Sequence, residues 1–378
     1  MSWIIPECKL DDITTQTIDY PVKNGNLCIS GFINTGKTVV LMYILRKLIQ
    51  NVASKGVVLL VYRNIDIDKY KALLRELSID PVVMTYWHFR QSSSKYDYIL
   101  CEDIQLISAD LLCDIKSRGN HVVVTINPQL LLFENSIFTQ TRTLTLEQVR
   151  DILNPKVYVL RYNYLYNSVI EELSHLLLNV DISAPMRSIS HDLHSISLCK
   201  ASNNEEEMRF VIEKAERFIN HGYSVAVLIP TNKKLIEFVQ SVFLFKKEKK
   251  WKETSTRWGT LDFDNLNQYL SEVNLNYQCL GSHFGKYSKI DNRINILTYH
   301  ASMGLIFDFV FMPFVNSDQY ISPNELINRN AFVLASTRSR IGLYYTYNGS
   351  KHHYLNLIED NCEKIIIKYE NYDNNLNN

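Results

Sequence analysis

Short apolar runs alternate with amphipathic stretches along the chain. Residues 27–30, 57–62, 82–85, 98–101 and 121–125 are compact blocks rich in Val, Ile, Leu and Tyr, bounded by polar or glycine-bearing segments. Buried strands read this way. Between them, residues 37–50 and 70–77 repeat apolar side chains at helical spacing. A second series follows. Residues 205–220 carry Met208, Val211, Ile212, Ala215, Phe218 and Ile219 on one side, His221-Gly222 ends that helix, and 224–229 is a strand. Further strands are expected at 294–298, 307–312, 332–335 and 343–347. Strands interleaved with helices predict an α/β fold of mainly parallel sheets flanked by helices.

The length of 378 residues exceeds the roughly 100–200 of one domain, so two are expected. The break is placed near Asn154-Pro155, giving a first domain of 1–155 and a second of 156–369. Residues 370–378 form a polar, Asn-rich tail with too few apolar groups to order itself. Apolar residues make up 46% and charged residues 21%, which suits packed cores. Forty basic and forty acidic side chains cancel, which excludes a histone-like blanket of positive charge but leaves room for a locally basic groove. No apolar run approaches the roughly 20 residues of a membrane span, and the first residues lack the basic and apolar regions of a signal peptide. Seven scattered cysteines without a Cys-x-x-Cys pair argue against zinc ribbons, iron–sulfur clusters and disulfide frameworks. A soluble cytoplasmic protein with no membrane partner is expected.

Gly31-Phe32-Ile33-Asn34-Thr35-Gly36-Lys37-Thr38 follows an expected strand and opens an expected helix. A P-loop requires that context: backbone N–H groups wrap phosphates, Lys37 reaches the β/γ-phosphates and the Thr38 hydroxyl holds Mg²⁺. The alternative is a chance glycine-rich turn. A P-loop also needs a carboxylate at the end of a neighbouring strand. Tyr98-Ile99-Leu100-Cys101 runs directly into Glu102-Asp103-Ile104-Gln105. Two solvated acids at a strand end are the competing explanation.

In order and spacing these segments resemble superfamily 1 helicases of the UvrD/Rep type, in their compact form, over about residues 10–350. Thr15-Gln16-Thr17-Ile18-Asp19-Tyr20-Pro21 is similar to that family's Q motif, which implies that Gln16 reads adenine. Thr85-Tyr86-Trp87-His88-Phe89 resembles its Thr-Phe-His segment, and Glu102-Asp103-Ile104-Gln105 stands where Asp-Glu-Ala-Gln is usual. Thr125-Ile126-Asn127-Pro128-Gln129 stands for Gly-Asp-Pro-x-Gln, with Gln129 as the γ-phosphate sensor. Leu160-Arg161-Tyr162-Asn163-Tyr164-Leu165 with Ile170 is similar to the Leu-x-x-Asn-Tyr-Arg pattern, which implies that Tyr164 stacks on adenine. Thr298-Tyr299-His300-Ala301-Ser302-Met303-Gly304-Leu305-Ile306-Phe307-Asp308 resembles Thr-x-His-x-x-Lys-Gly-Leu-Glu-Phe-Asp. Ala335-Ser336-Thr337-Arg338-Ser339-Arg340 resembles the family's Ala-Leu-Thr-Arg-Ala, which implies that Arg338 is the arginine finger.

The resemblance implies two RecA-like domains and an ATP-driven translocase or helicase-like ATPase using ATP and Mg²⁺. Its nucleotide set is Gln16, Gly31, Asn34, Thr35, Gly36, Lys37, Thr38, Tyr164 and Gly304, with Thr38 and Glu102 on the metal. Its catalytic set is Lys37, Glu102, Asp103, Gln129 and Arg338. Single-stranded nucleic acid, DNA ahead of RNA, would meet Arg63, Thr85, Trp87, His88, Thr298 and His300. A protein partner such as a nuclease belongs to the alternative in which the chain is a nucleotide-gated binding subunit.

Several positions depart from the family pattern. The two acids are exchanged, Leu165 stands for an arginine, Met303 for a lysine, Ile306 for a glutamate and Asn127 for an aspartate. The short spacing between the Thr85 segment and Glu102 leaves no room for an accessory domain. Elsewhere, Lys246-Lys247-Glu248-Lys249-Lys250-Trp251-Lys252 and Arg257-Trp258 mix cations with indoles. They suit phosphate contact and base stacking, or else a solvated loop whose tryptophans cap the core. His191 and His194 lack a third recognisable metal ligand.

Overall fold

The computed structural model describes residues 10–51, 56–133, 143–161, 168–178, 195–257, 259–281, 292–318 and 320–369. The chain divides into two compact units, residues 1–166 with 180–189 and residues 167–179 with 190–378.

The first unit runs α1 (Asp12–Asn24), β1 (Leu27–Gly31), α2 (Lys37–Asn51), β2 (Val57–Val61), α3 (Asn64–Glu76), β3 (Val82–Thr85) and α4 (Tyr86–Gln91), then β4 (Tyr96–Cys101), α5 (Ala109–Arg118), β5 (Gly119–Ile126), α6 (Leu146–Leu153) and β6 (Lys156–Leu160). Its strands lie in the order β3-β2-β4-β5-β1-β6, all parallel. Every residue of β1 and β2 is buried, because helices cover both faces of such a sheet. This is why the strands are continuous apolar runs rather than alternating ones. Helix α2 packs Val40, Leu41, Ile44, Leu45 and Leu48 into that core. Thr85, Ser108 and Thr145 start α4, α5 and α6 by accepting a backbone N–H two or three positions into the helix, each cap contributing about 1 kcal/mol.

The first unit continues past the Asn154-Pro155 break expected from sequence. Asn154 is the left-handed cap that ends α6, at φ 44°, and β6 then pairs with β1. That dipeptide is a turn inside the unit.

The second unit contains α7 (Ser168–Leu178), β7 (Ser195–Lys200), α8 (Asn204–Asn220), β8 (Val225–Ile229), α9 (Asn232–Phe245), α10 (Phe263–Glu272) and β9 (Tyr277–Leu280). It ends with β10 (Ile294–Thr298), β11 (Phe307–Met312), α11 (Glu325–Ser336), β12 (Ser339–Tyr347), α12 (His353–Asn356) and β13 (Glu363–Ile366). The strand order is β13-β7-β12-β11-β8-β10-β9, again parallel. Each unit is therefore a parallel sheet flanked by helices, an α/β layer.

One expectation changes, and at Trp251 the core-capping alternative holds. Residues 332–335, expected as a strand, form the end of α11, whose Ile327, Ala331, Phe332, Val333, Leu334 and Ala335 are all buried. A helix covered on nearly every side loses its amphipathic period and reads as an apolar run. Trp251 is a core residue: its indole N–H donates to Asn265 Oδ1 at 2.9 Å, and its carbonyl accepts from Gln240. It presents no stacking face; Trp258 and the tail lie outside the described residues. Among the described residues no helix is long and apolar enough to cross a membrane.

Candidate functional site

A parallel sheet delivers the carboxyl ends of all its strands to one edge, where ligands of open α/β folds bind. In the first unit that edge collects the 31–38 loop after β1, Arg63 after β2, Thr85 at the end of β3, Glu102 after β4 and Asn127 after β5.

The loop after β1 is built for close approach. A Cβ on Gly31 would lie 2.5 Å from Thr35 Oγ1 and 3.2 Å from the Leu160 carbonyl oxygen. Asn34 and Gly36 take positive φ, 63° and 81°, and Thr35 Oγ1 donates to the Phe32 carbonyl at 2.9 Å. The Lys37 ammonium folds back onto the loop, donating to the carbonyls of Gly31 (2.9 Å) and Phe32 (2.6 Å). Helix α2 follows with no acid in its first turn, so its amino end keeps the partial positive charge that favours an anion.

The two acids occupy different positions. Thr38 Oγ1 donates to Glu102 Oε1 at 2.8 Å, joining the first turn of α2 to the end of β4. Burial pushes the Glu102 carboxyl up to about 8; the Lys69 charge opposes this, the neighbouring Asp103 and Asp66 add to it, and the Thr38 hydroxyl lowers it again. Asp103 sits in the left-handed region at φ 52°, ψ 50°. Its N–H donates to Thr125 Oγ1 at 2.9 Å and its Oδ1 accepts from Gln105 Nε2 at 3.2 Å. Gln105 in turn accepts from the Asn127 N–H at 3.1 Å, and Asn127 Oδ1 from the Gln129 N–H at 3.3 Å. A hydrogen-bonded chain therefore runs from Asp103 to Gln129, whose side chain is exposed. The sequence places Gln105 beside the acids but does not reveal that it joins the ends of β4 and β5.

A hydroxyl oxygen next to a carboxylate oxygen is a hard donor set, suited to Mg²⁺. Among the described residues no group of three or more His, Cys, Asp or Glu is placed to hold a metal.

Thr85 is buried and exchanges a 2.9 Å hydrogen bond with His88 Nδ1, while His88 and Trp87 face solvent, Trp87 with 50% of its surface exposed. Arg63 is buried in a two-point pair with Asp66, Nη2 to Oδ1 at 2.8 Å and Nε to Oδ2 at 3.1 Å, and it feels Glu102 and Asp103 electrostatically. It belongs to the acid cluster and not to the exposed face carrying Trp87. Gln16 is exposed on α1, and Tyr164 and Leu165 lie outside the described residues.

In the second unit Thr298 ends β10 at the carboxyl edge, buried, and caps the following turn by accepting from the Ala301 N–H at 3.2 Å. His300 is half-buried within that turn. Gly304 takes φ 71°. Arg338 immediately precedes β12 and so lies at the opposite, amino edge of the same sheet. Its buried guanidinium donates to the Leu334 carbonyl (3.0 Å) and Thr337 Oγ1 (2.7 Å), with the Leu305 carbonyl at 3.4 Å. The unit keeps Thr298 and Arg338 apart.

No protein-family model matches this sequence, and no curated protein does. Solved structures with a similar arrangement include the PRRSV helicase, with 12% identity, 89% of this chain covered and a TM-score of 0.43. They also include the DUF1998 helicase MrfA bound to DNA (10%, 92%, 0.48) and the Arterivirus nonstructural protein 10 helicase (10%, 92%, 0.44). This chain spans 54%, 52% and 64% of those three chains, respectively. The helicase activities and the bound DNA are properties of those proteins.

Proposed function

We propose that the chain is an ATP-dependent translocase, a helicase-like ATPase acting on single-stranded nucleic acid, with DNA preferred over RNA. The observation that carries this reading is the Thr38–Glu102 contact beside a P-loop-shaped turn, with Asp103 held separately by Gln105 and Thr125. Phosphates would lie against the 31–38 loop, with Lys37 exchanging its loop carbonyls for phosphate oxygens. Thr38 and Glu102 would hold Mg²⁺, which when bound neutralises charge on the phosphate oxygens. Asp103 is the candidate base for the attacking water, Gln129 the candidate γ-phosphate sensor and Arg338 the candidate arginine finger. Gln16 and Tyr164 remain candidates for adenine. Arg63, Thr85, Trp87, His88, Thr298 and His300 remain candidates for the strand, with Trp87 offering the exposed aromatic face that stacks bases.

One observation favours a second reading, a nucleotide-gated binding chain with slow turnover. The longer acid, Glu102, is the one on Thr38, and the shorter Asp103 is drawn towards Gln105. A carboxylate about 1 Å short of its water can lose a large factor in rate. Phosphate release measured with and without single-stranded DNA and RNA separates the two. Stimulation by strand supports the translocase, and binding of both ligands without stimulation supports the gated chain.

A further inference from the structure

We infer that Tyr86 is a positioning residue that ties the strand-facing helix α4 to Glu102, so that a strand on α4 alters how the first unit holds Mg·nucleotide. The inference rests on the functional reading above. Helix α4 leaves β3, the edge strand, and β2 lies between β3 and β4. The fully buried Tyr86 nevertheless reaches the end of β4, where its hydroxyl donates to the Glu102 carbonyl at 2.7 Å. The Glu102 N–H is held from the other side by the Leu60 carbonyl at 3.0 Å. The backbone on both sides of the metal-side acid's Cα is thus held, by β2 at its N–H and by α4 at its carbonyl.

Helix α4 is tied at both ends. Thr85 Oγ1 accepts from the His88 N–H at its start. At its close, Arg118 Nη1 donates to the carbonyls of Phe89 (2.9 Å) and Ser92 (2.6 Å), and the guanidinium carbon lies 3.9 Å from the Phe89 ring centroid. Six residues fastened this way move as one block. Successive helical residues point about 100° apart, so Tyr86 faces Glu102 while Trp87 faces solvent. A push on Trp87 therefore reaches the Glu102 peptide through a single hydrogen bond. A phenylalanine would fill the same space, so only the hydroxyl makes the connection.

The test measures coupling rather than turnover. The affinity of a fluorescent single-stranded oligonucleotide is read by anisotropy with and without Mg²⁺ and a non-hydrolysable ATP analogue. Coupled sites change each other's affinity by about 5–150-fold, and by linkage the factor is the same in both directions. Tyr86→Phe is expected to bring this factor close to one while leaving the nucleotide-free oligonucleotide affinity within about threefold. A hydroxyl with only a structural role would lower the melting temperature and keep the factor. An unchanged factor in folded Tyr86→Phe overturns the inference. Should that variant not fold, Arg118→Lys, which removes the fork to both carbonyls, decides by the same criterion. Wild-type protein that binds both ligands with a factor of one overturns the role of Tyr86 and leaves the binding reading intact. Wild-type protein that binds neither overturns the functional reading, and the inference with it.

Discussion

Thr38 and Glu102 stand 64 positions apart in sequence and share a 2.8 Å hydrogen bond in the fold. The strand order β4-β5-β1 brings this about, since it sets the end of β4 two strands from the loop after β1, within reach of the first turn of α2. The bond turns a glycine-rich loop and an acid-bearing strand end into one oxygen-lined position.

Lys37→Ala is expected to abolish nucleotide binding at working concentrations. Charge-assisted contacts to phosphate contribute about 3 kcal/mol, roughly a hundredfold in affinity. Titration calorimetry with ATP and Mg²⁺ checks it. Equal affinity in wild type and variant would remove the P-loop assignment.

The exchanged acids separate by phenotype. Asp103→Asn should keep Mg²⁺-dependent ATP affinity within about threefold and slow hydrolysis by about a hundredfold or more. Glu102→Gln should instead weaken the dependence on Mg²⁺. Single-turnover phosphate release across a Mg²⁺ titration distinguishes them, and two silent variants would place the working carboxylates elsewhere.

Much of this unit is legible in the sequence because its strands are buried on both faces. The runs at 27–30, 57–62 and 98–101 could hardly be anything else once helical stretches separate them. Burial on every side misleads equally well, and α11 reads as a strand at 332–335 for that reason. At the site, the loop, the acids and Trp87 are all visible as residue types. The Tyr86–Glu102, Gln105–Asn127 and Arg63–Asp66 contacts are not. The first two depend on which strands lie side by side, and a list of motifs does not contain that information. The third is a local i,i+3 pair, and Asp66 was the available signal that Arg63 is already engaged.

Trp87→Ala should weaken single-stranded oligonucleotide binding by about 1–3 kcal/mol, the range of one base stacked on an aromatic side chain. ATP affinity in the absence of strand should not change. Anisotropy measured at fixed salt checks it, and unaltered strand affinity would move the contact surface off α4.

Glu207 gives the second unit a pH signature. Its buried carboxylate accepts from the Phe314 N–H (2.8 Å) and Thr346 Oγ1 (2.6 Å), and also from the Asn348 amide, with Lys234 nearby. Burial outweighs these partners and raises its pKa above the usual 4.5. The folded state then holds the proton more tightly than the unfolded one. The associated stability is fully present below about pH 4.5 and is lost as pH rises through the folded value. Glu207→Gln should flatten that decline, so its urea midpoint gains on wild type as pH rises above the usual carboxylate value. Parallel pH profiles for the two proteins would contradict the assignment.

The most direct measurement is steady-state phosphate release titrated with single-stranded DNA, for wild type and Arg338→Ala side by side. Arginine fingers contribute on the order of 10³–10⁵ in rate. A strand-driven ATPase predicts hydrolysis that rises with oligonucleotide in the wild type. It also predicts loss of that rise in Arg338→Ala, with ATP affinity retained within about tenfold, or 1.4 kcal/mol. A wild type that binds ATP and strand yet releases phosphate at the same rate with and without oligonucleotide would contradict it.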